Sequence, residues 1–184
     1  SSSGAGMIFA SSVQQFDQLD RKNGSSVSGN RSDPLRALGA PEGTDTLNFV
    51  SLGLGGSITL GFDSPFGGDV TVWETTYGNP SGHPERAEVW VGDGPTWDTA
   101  DWFLAGALGN DEDGTPISLS GIGGGVGAFE FLRIVDVTDP SLHGGGADGF
   151  DVDGVAVSTV PTPGSAALAF AGLAVTARTR RRRS

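Results

Sequence analysis

Between Phe49 and Val157 the chain repeats one device: a short run in which apolar side chains alternate with small or polar ones, closed each time by glycine, proline or aspartate. In Ser57 to Phe62, Ile58, Leu60 and Phe62 alternate with Ser57, Thr59 and Gly61. A period of two sends successive side chains to opposite faces of an extended strand, so one face is apolar and the other is not. With Phe49 to Leu52 before it and Gly53-Leu54-Gly55-Gly56 between, the pattern predicts a hairpin with one buried face. Val70 to Glu74 and Ala87 to Val91 repeat it on either side of the turn-rich stretch from Tyr77 to Pro84. Trp102 to Leu108, Ile117 to Leu119, Phe129 to Val135 and Phe150 to Val157 bring the count to about eight strands. Phe129 to Val135 is apolar on both faces apart from Glu130 and Arg133, which marks a central strand. The fold class that follows is all-β, an antiparallel β-sandwich.

Upstream the pattern is looser. Met7 to Ala10 reads as a first strand, Val13 to Leu19 as a helical turn or loop, and Asn23 to Asp33 as a surface loop. Leu35 to Leu38 reads as a brief helical or turn segment closed by Gly39 and Pro41. A chain of 184 residues with 36% hydrophobic content supports one core of about 150 residues. The expected organisation is a disordered N-terminus over 1–6, the sandwich over 7–158, a proline-rich linker over 159–164, an apolar helix over 165–177 and a basic tail over 178–184. Ser1 to Gly6 has neither a charged start nor an apolar stretch, so any secretory signal is expected to have been removed or to lie outside this sequence.

All 22 acidic residues precede Val160, whereas five of the 11 basic residues follow it, leaving six bases against 22 acids in the body. So acidic a body offers no footprint for phosphates, and nucleic acid is excluded as a partner. The same acidity suits solubility outside the cell and calcium binding. The chain contains no cysteine, which removes disulfides, thiolate catalysis and cysteine zinc sites. Its two histidines, His83 and His143, sit beside proline or glycine and read as solvated loop residues. No Gly-x-Ser-x-Gly elbow is present. The glycine-rich segments 53–56 and 121–125 lack the lysine of a phosphate-binding loop and read as turns.

The C-terminus has three parts in fixed order. Val160, Pro161, Thr162, Pro163 and Gly164 form a hinge that holds the backbone extended and denies it a ladder. Ser165 to Ala177 is uncharged and rich in alanine and leucine, and its 13 residues would span about 20 Å as a helix against roughly 30 Å of hydrocarbon. Arg178, Arg180, Arg181, Arg182 and Arg183 close the chain with a charge that would remain on the cytoplasmic side. This order resembles the PEP-CTERM sorting signal of bacterial envelope proteins, with Thr162 where that family usually carries glutamate. The resemblance implies exosortase as a processing partner, a transient membrane segment, and a cell-envelope or extracellular location. The body from Leu35 to Val157 also resembles the jelly-roll surface domains that precede such tails. It does so through Ala37 to Gly43, Phe49 to Gly53, Gly56 to Leu60, Glu88 to Val91 and Gly149 to Gly154. Trp90 to Gly94 with Trp97 is similar to the strand and turn of galactose-binding-like sandwiches, which implies a carbohydrate-binding type of fold.

Three groups of residues can carry a site. Trp73, Trp90, Trp97 and Trp102 form either a sugar-stacking platform or ordinary core and turn packing. Asp136, Asp139, Asp148, Asp151 and Asp153 crowd into 18 residues around a glycine loop. They form either a structural calcium site, since hard cations want six to eight oxygens, or an ion pair with Arg133 plus solvated aspartates. Asp151 and Asp153 are expected on one face of the last strand. Glu74, Glu88, Glu130 and Asp136 lie on or next to strands and keep a glycoside hydrolase or lyase open as the alternative. The expected function is a secreted, non-catalytic envelope or matrix protein that binds extracellular polysaccharide.

Overall fold

The computed structural model describes residues 6–43, 47–76, 80–125 and 128–160. Of the tail only Val160 is included. The rest of the hinge, the expected helix and the arginine cluster lie outside the described residues.

Nine strands form one antiparallel sheet among the described residues: β1 (Met7–Phe9), β2 (Ser12–Asp17), β3 (Val50–Ser51), β4 (Ser57–Glu74), β5 (Arg86–Asp93), β6 (Asp101–Gly109), β7 (Ile117–Ser118), β8 (Phe129–Asp136) and β9 (Asp151–Thr159). The order runs β1-β9-β4-β8-β5-β6, with β2 and β7 also on β4 and β3 on β9. The helical segments described are short 3-10 turns, such as Pro34–Ala37, which Asp33 caps through the Leu35 amide. The all-β reading therefore holds.

The strand that organises the sheet is β4. Its first part, Ser57 to Gly61, is sandwiched between β2 and β8, and its last part, Val70 to Glu74, pairs with β9. The ladder breaks between Gly61 and Phe66 on one side and between Phe66 and Val70 on the other. The reason is local: Pro65 has no amide to donate, and Gly67 and Gly68 lower the cost of a sharp bend. At Gly68 a Cβ would come within 2.6 Å of the Ser158 Cβ, so only glycine permits β9 to approach the bend. Phe66 sits at the bend, with its ring 5.0 Å from Phe62 and 6.0 Å from Phe129.

The structure departs from the sequence reading at four points. Ser57 to Phe62 and Val70 to Glu74 are one bent strand, not two. The expected hairpin does not form, because β3 pairs with β9 instead of with β4. Val13 to Leu19 is neither helical turn nor loop over most of its length, since β2 pairs with β4 through to Asp17. Phe129 to Val135 is central, between β4 and β5, yet its outward residues Phe131, Arg133 and Val135 are only half-buried.

One core gathers the inward faces. Ile58, Leu60, Val70 and Val72 of β4 meet Val89 and Val91 of β5, Leu132 and Ile134 of β8, and Val155 and Val157 of β9, all almost wholly buried. Each such side chain contributes about 1.5–3 kcal/mol by leaving water. The C-terminal end of β4, the start of β5 and the start of β9 come together at one end of this core.

Candidate functional site

Three carboxylates from three separate segments converge at that end. Glu74 is the last residue of β4, Glu85 precedes β5 directly, and Asp151 opens β9. One oxygen from each lies within 4.8 Å of the others. Glu74 and Asp151 are buried and Glu85 is half-buried. Glu74 shares the strand parity of Val70 and Val72, and Glu85 that of Ala87 and Val89, so both continue the side turned into the core.

Neighbouring groups hold the cluster in place. The Thr76 hydroxyl donates to Glu74 Oε2 at 2.6 Å, and the Asn110 side chain donates to the Thr76 hydroxyl at 2.8 Å. The Glu74 amide donates to Asp113, and the Ser51 hydroxyl donates to Asp151. Burial pushes the Glu74 carboxyl up to about 7, opposed by the Thr76 hydroxyl, raised further by the Asp113 charge and eased by the neighbouring Glu85 carboxyl. Burial also pushes Glu85 up to about 10, reinforced by the charges of Asp151, Glu74, Asp148 and Asp136. Asp151 is driven well above the usual carboxylate range, again first by burial. Three carboxyls raised together mean that the surroundings supply too little positive charge to ionise them all.

A cavity of about 300 Å³ opens onto Glu85 and Asp151, lined further by Arg31, His83, His143 and Asp148. His143 is buried, contrary to the solvated state expected from sequence: its Nε2 lies 3.1 Å from the Pro84 carbonyl and its ring stacks 6.5 Å from that of His83. A second cavity, about 390 Å³, holds Trp73, Glu74, Asn110, Asp113 and Asp153.

The five aspartates do not act as one group. Asp136 is consumed by the fold, accepting from the Gly55 and Phe150 amides and the Thr138 hydroxyl. Asp139 caps the turn Pro140–Leu142 through the Ser141 amide, which holds its carboxyl below the usual range. Asp148 pairs with Arg31 at 3.0 Å and Arg21 at 3.7 Å. Asp151 and Asp153 part company because the β4–β9 ladder passes from Trp73 opposite Gly154 to Glu74 opposite Val152, leaving Asp153 as a bulged residue that lines the second cavity. Arg133 is not their partner, since its Nε donates to the Thr59 hydroxyl and its guanidinium lies over Trp102. Only Asp151 joins the carboxylate cluster, with Glu74, which sequence offered as a catalytic acid, and Glu85, which it missed. The overlooked signal was parity: an acid continuing the inward face of a strand is a charge bound for the core.

The tryptophans divide as well. Trp90 and Trp102 line one hollow of about 270 Å³ on the outward face of β5, β6 and β8, with Glu88, Arg133 and Val135. Trp90 Nε1 donates to Glu88 at 3.1 Å, and Trp102 leans across Gly92, where a Cβ would touch its ring at 3.1 Å. Trp73 stands at the carboxylate end, 6.1 Å from Phe9, and Trp97 lies in the turn between β5 and β6. Of the remaining acids, Glu88 is the acceptor for Trp90 and Glu130 accepts from the Gly94 amide. Compared with protein-family models and with curated proteins, the chain matches none.

Proposed function

We propose that this chain is a secreted, non-catalytic envelope or matrix protein of the jelly-roll, galactose-binding-like sandwich type that binds extracellular polysaccharide. A PEP-CTERM-like tail would deliver it through the membrane to exosortase. The observation that carries the binding reading is the pair Trp90 and Trp102, two half-buried indoles on one sheet face, rimmed by the charged Glu88 and Arg133. The Arg133 guanidinium lies over the Trp102 ring, so Trp90 is proposed to stack on the apolar face of a sugar ring, while the flanking charged groups reach its hydroxyls. A glycan array of envelope and extracellular polysaccharides tests it. Binding without product release is expected, lost in Trp90→Ala/Trp102→Ala and retained in Trp73→Ala. A folded protein that binds no glycan would sink the proposal.

The second reading, a small glycan-active enzyme, draws on the carboxylates Glu74, Glu85 and Asp151 beside an open cavity. Glycosidase pairs stand about 5–5.5 Å apart when retaining and about 6.5–9.5 Å apart when inverting, to leave room for sugar or water. Oxygens within 4.8 Å, two of their residues buried, leave less room than either. Release of shortened or unsaturated glycans in the same array would establish the enzyme instead.

A further inference from the structure

We propose that Glu74, Glu85 and Asp151 together hold a divalent cation of the calcium class, bound where β4, β5 and β9 meet. Glu74 is 7% exposed: its Oε2 takes the Thr76 hydroxyl, but its Oε1 is buried without a hydrogen-bond partner, in a carboxyl with one oxygen within 4.8 Å of those of Glu85 and Asp151. A buried carboxylate oxygen with no donor is costly, and a cation is a partner that would suit it and the two neighbouring carboxylates at once.

No ion pair of the described residues reaches Glu74, Glu85 or Asp151, although Arg31 lines the cavity beside Asp151. Among the described residues the ion pairs are those of Arg21 and Arg31 with Asp148. Lys22 donates to the His143 carbonyl, Arg36 donates to the Asn30 and Leu47 carbonyls, and Arg133 serves Thr59 and Trp102 beside the Trp90–Trp102 hollow. The spacing fits as well. Oxygens at about 2.3–2.6 Å from a calcium ion are at most about 5 Å apart, and one oxygen from each residue falls within 4.8 Å of the others. The three ligands are hard oxygens with no cysteine in the chain, which favours calcium over zinc. Water from the adjoining cavity supplies remaining positions. The inference is independent of the polysaccharide reading, since the Trp90–Trp102 hollow is a separate one.

The test uses the full chain, stripped with EDTA and titrated with calcium chloride by calorimetry, with melting followed in chelator and in calcium. One site per chain and a midpoint raised by calcium are expected. Glu85→Gln should weaken binding about tenfold or more, whereas Asp139→Asn, at the exposed turn cap, should leave it unchanged. Magnesium chloride should bind more weakly, because it demands near-octahedral geometry and gives up its water reluctantly. Should Glu85→Gln fail to fold, terbium emission on the unaltered chain locates the ion. Emission sensitised by Trp73, displaced by calcium and lost in Trp73→Phe, supports the site. Absence of both heat and midpoint shift overturns the proposal, as do binding unchanged in a folded Glu85→Gln, terbium emission unchanged in Trp73→Phe, and magnesium binding as tightly as calcium.

Discussion

The guanidinium of Arg133 lies 4.0 Å from the centre of the Trp102 ring. Arg133 comes from β8 and Trp102 from β6, so the contact passes across β5 and ties three strands on their outward face. Its Nε also donates to the Thr59 hydroxyl on β4 at 3.1 Å. Arg133→Ala removes both and should cost about 1–3 kcal/mol in urea unfolding, from a cation–π term and one hydrogen bond. Arg133→Lys should recover only part, because an ammonium lacks the planar fork. A wild-type midpoint in Arg133→Ala would show that the stack contributes nothing.

Asp136 offers a contrast, as a buried acid whose partners are all in place. It accepts from the Gly55 amide at 2.8 Å, the Phe150 amide at 2.9 Å and the Thr138 hydroxyl at 2.6 Å. Asp136→Ala leaves two backbone donors without their acceptor and should destabilise the domain by about 2–5 kcal/mol, whereas Asp136→Asn keeps one acceptor and should lose less. Denaturation of both variants, in calcium and in chelator alike, measures the ordering. Equal losses would contradict it.

The cation-free protein should lose stability as pH rises. The Glu74 carboxyl moves from 4.5 in the unfolded chain to about 7 when folded, and Glu85 to about 10. A raised carboxyl favours the folded state while both states hold the proton, below about 4.5, and that advantage is lost as pH climbs through the folded value. Asp151, Asp148, Asp136 and Asp113 face these two groups with negative charge, and Arg31 faces Asp151 with positive charge. Melting in EDTA should therefore fall between about pH 5 and about pH 8, and Glu74→Gln should flatten the slope. A midpoint that rises over this interval would contradict the assignment.

If the tail is the sorting signal proposed above, replacing Arg180, Arg181, Arg182 and Arg183 with neutral residues should release unprocessed protein from the membrane fraction, because a positive-inside anchor would be lost. Thr162→Glu, which restores the residue usual in the family resembled, should leave processing unchanged or improve it. Fractionation by blotting reads both, and an unaltered distribution of the arginine variant would count against a sorting tail.

Much of the fold is legible in the chain because the alternation at Ile58, Leu60 and Phe62, and again at Val70 and Val72, is a local property that survives in any strand pairing. Apolar runs of strand length marked β5, β6, β8 and β9 as well. Pairing was not legible. That β3 joins β9 across about a hundred residues, and that β4 runs unbroken past Pro65, depend on which distant edges meet once the core closes. The carboxylate cluster is non-local for the same reason: Glu74, Glu85 and Asp151 share no spacing, and the aspartates that do share one are parted by the bulge at Asp153 and by the bonds that consume Asp136. Residue types and their parity along a strand are written in the chain. Which side chains end within a hydrogen bond of one another is decided by packing, where burial sets the charge state of each carboxyl and register sets its neighbours.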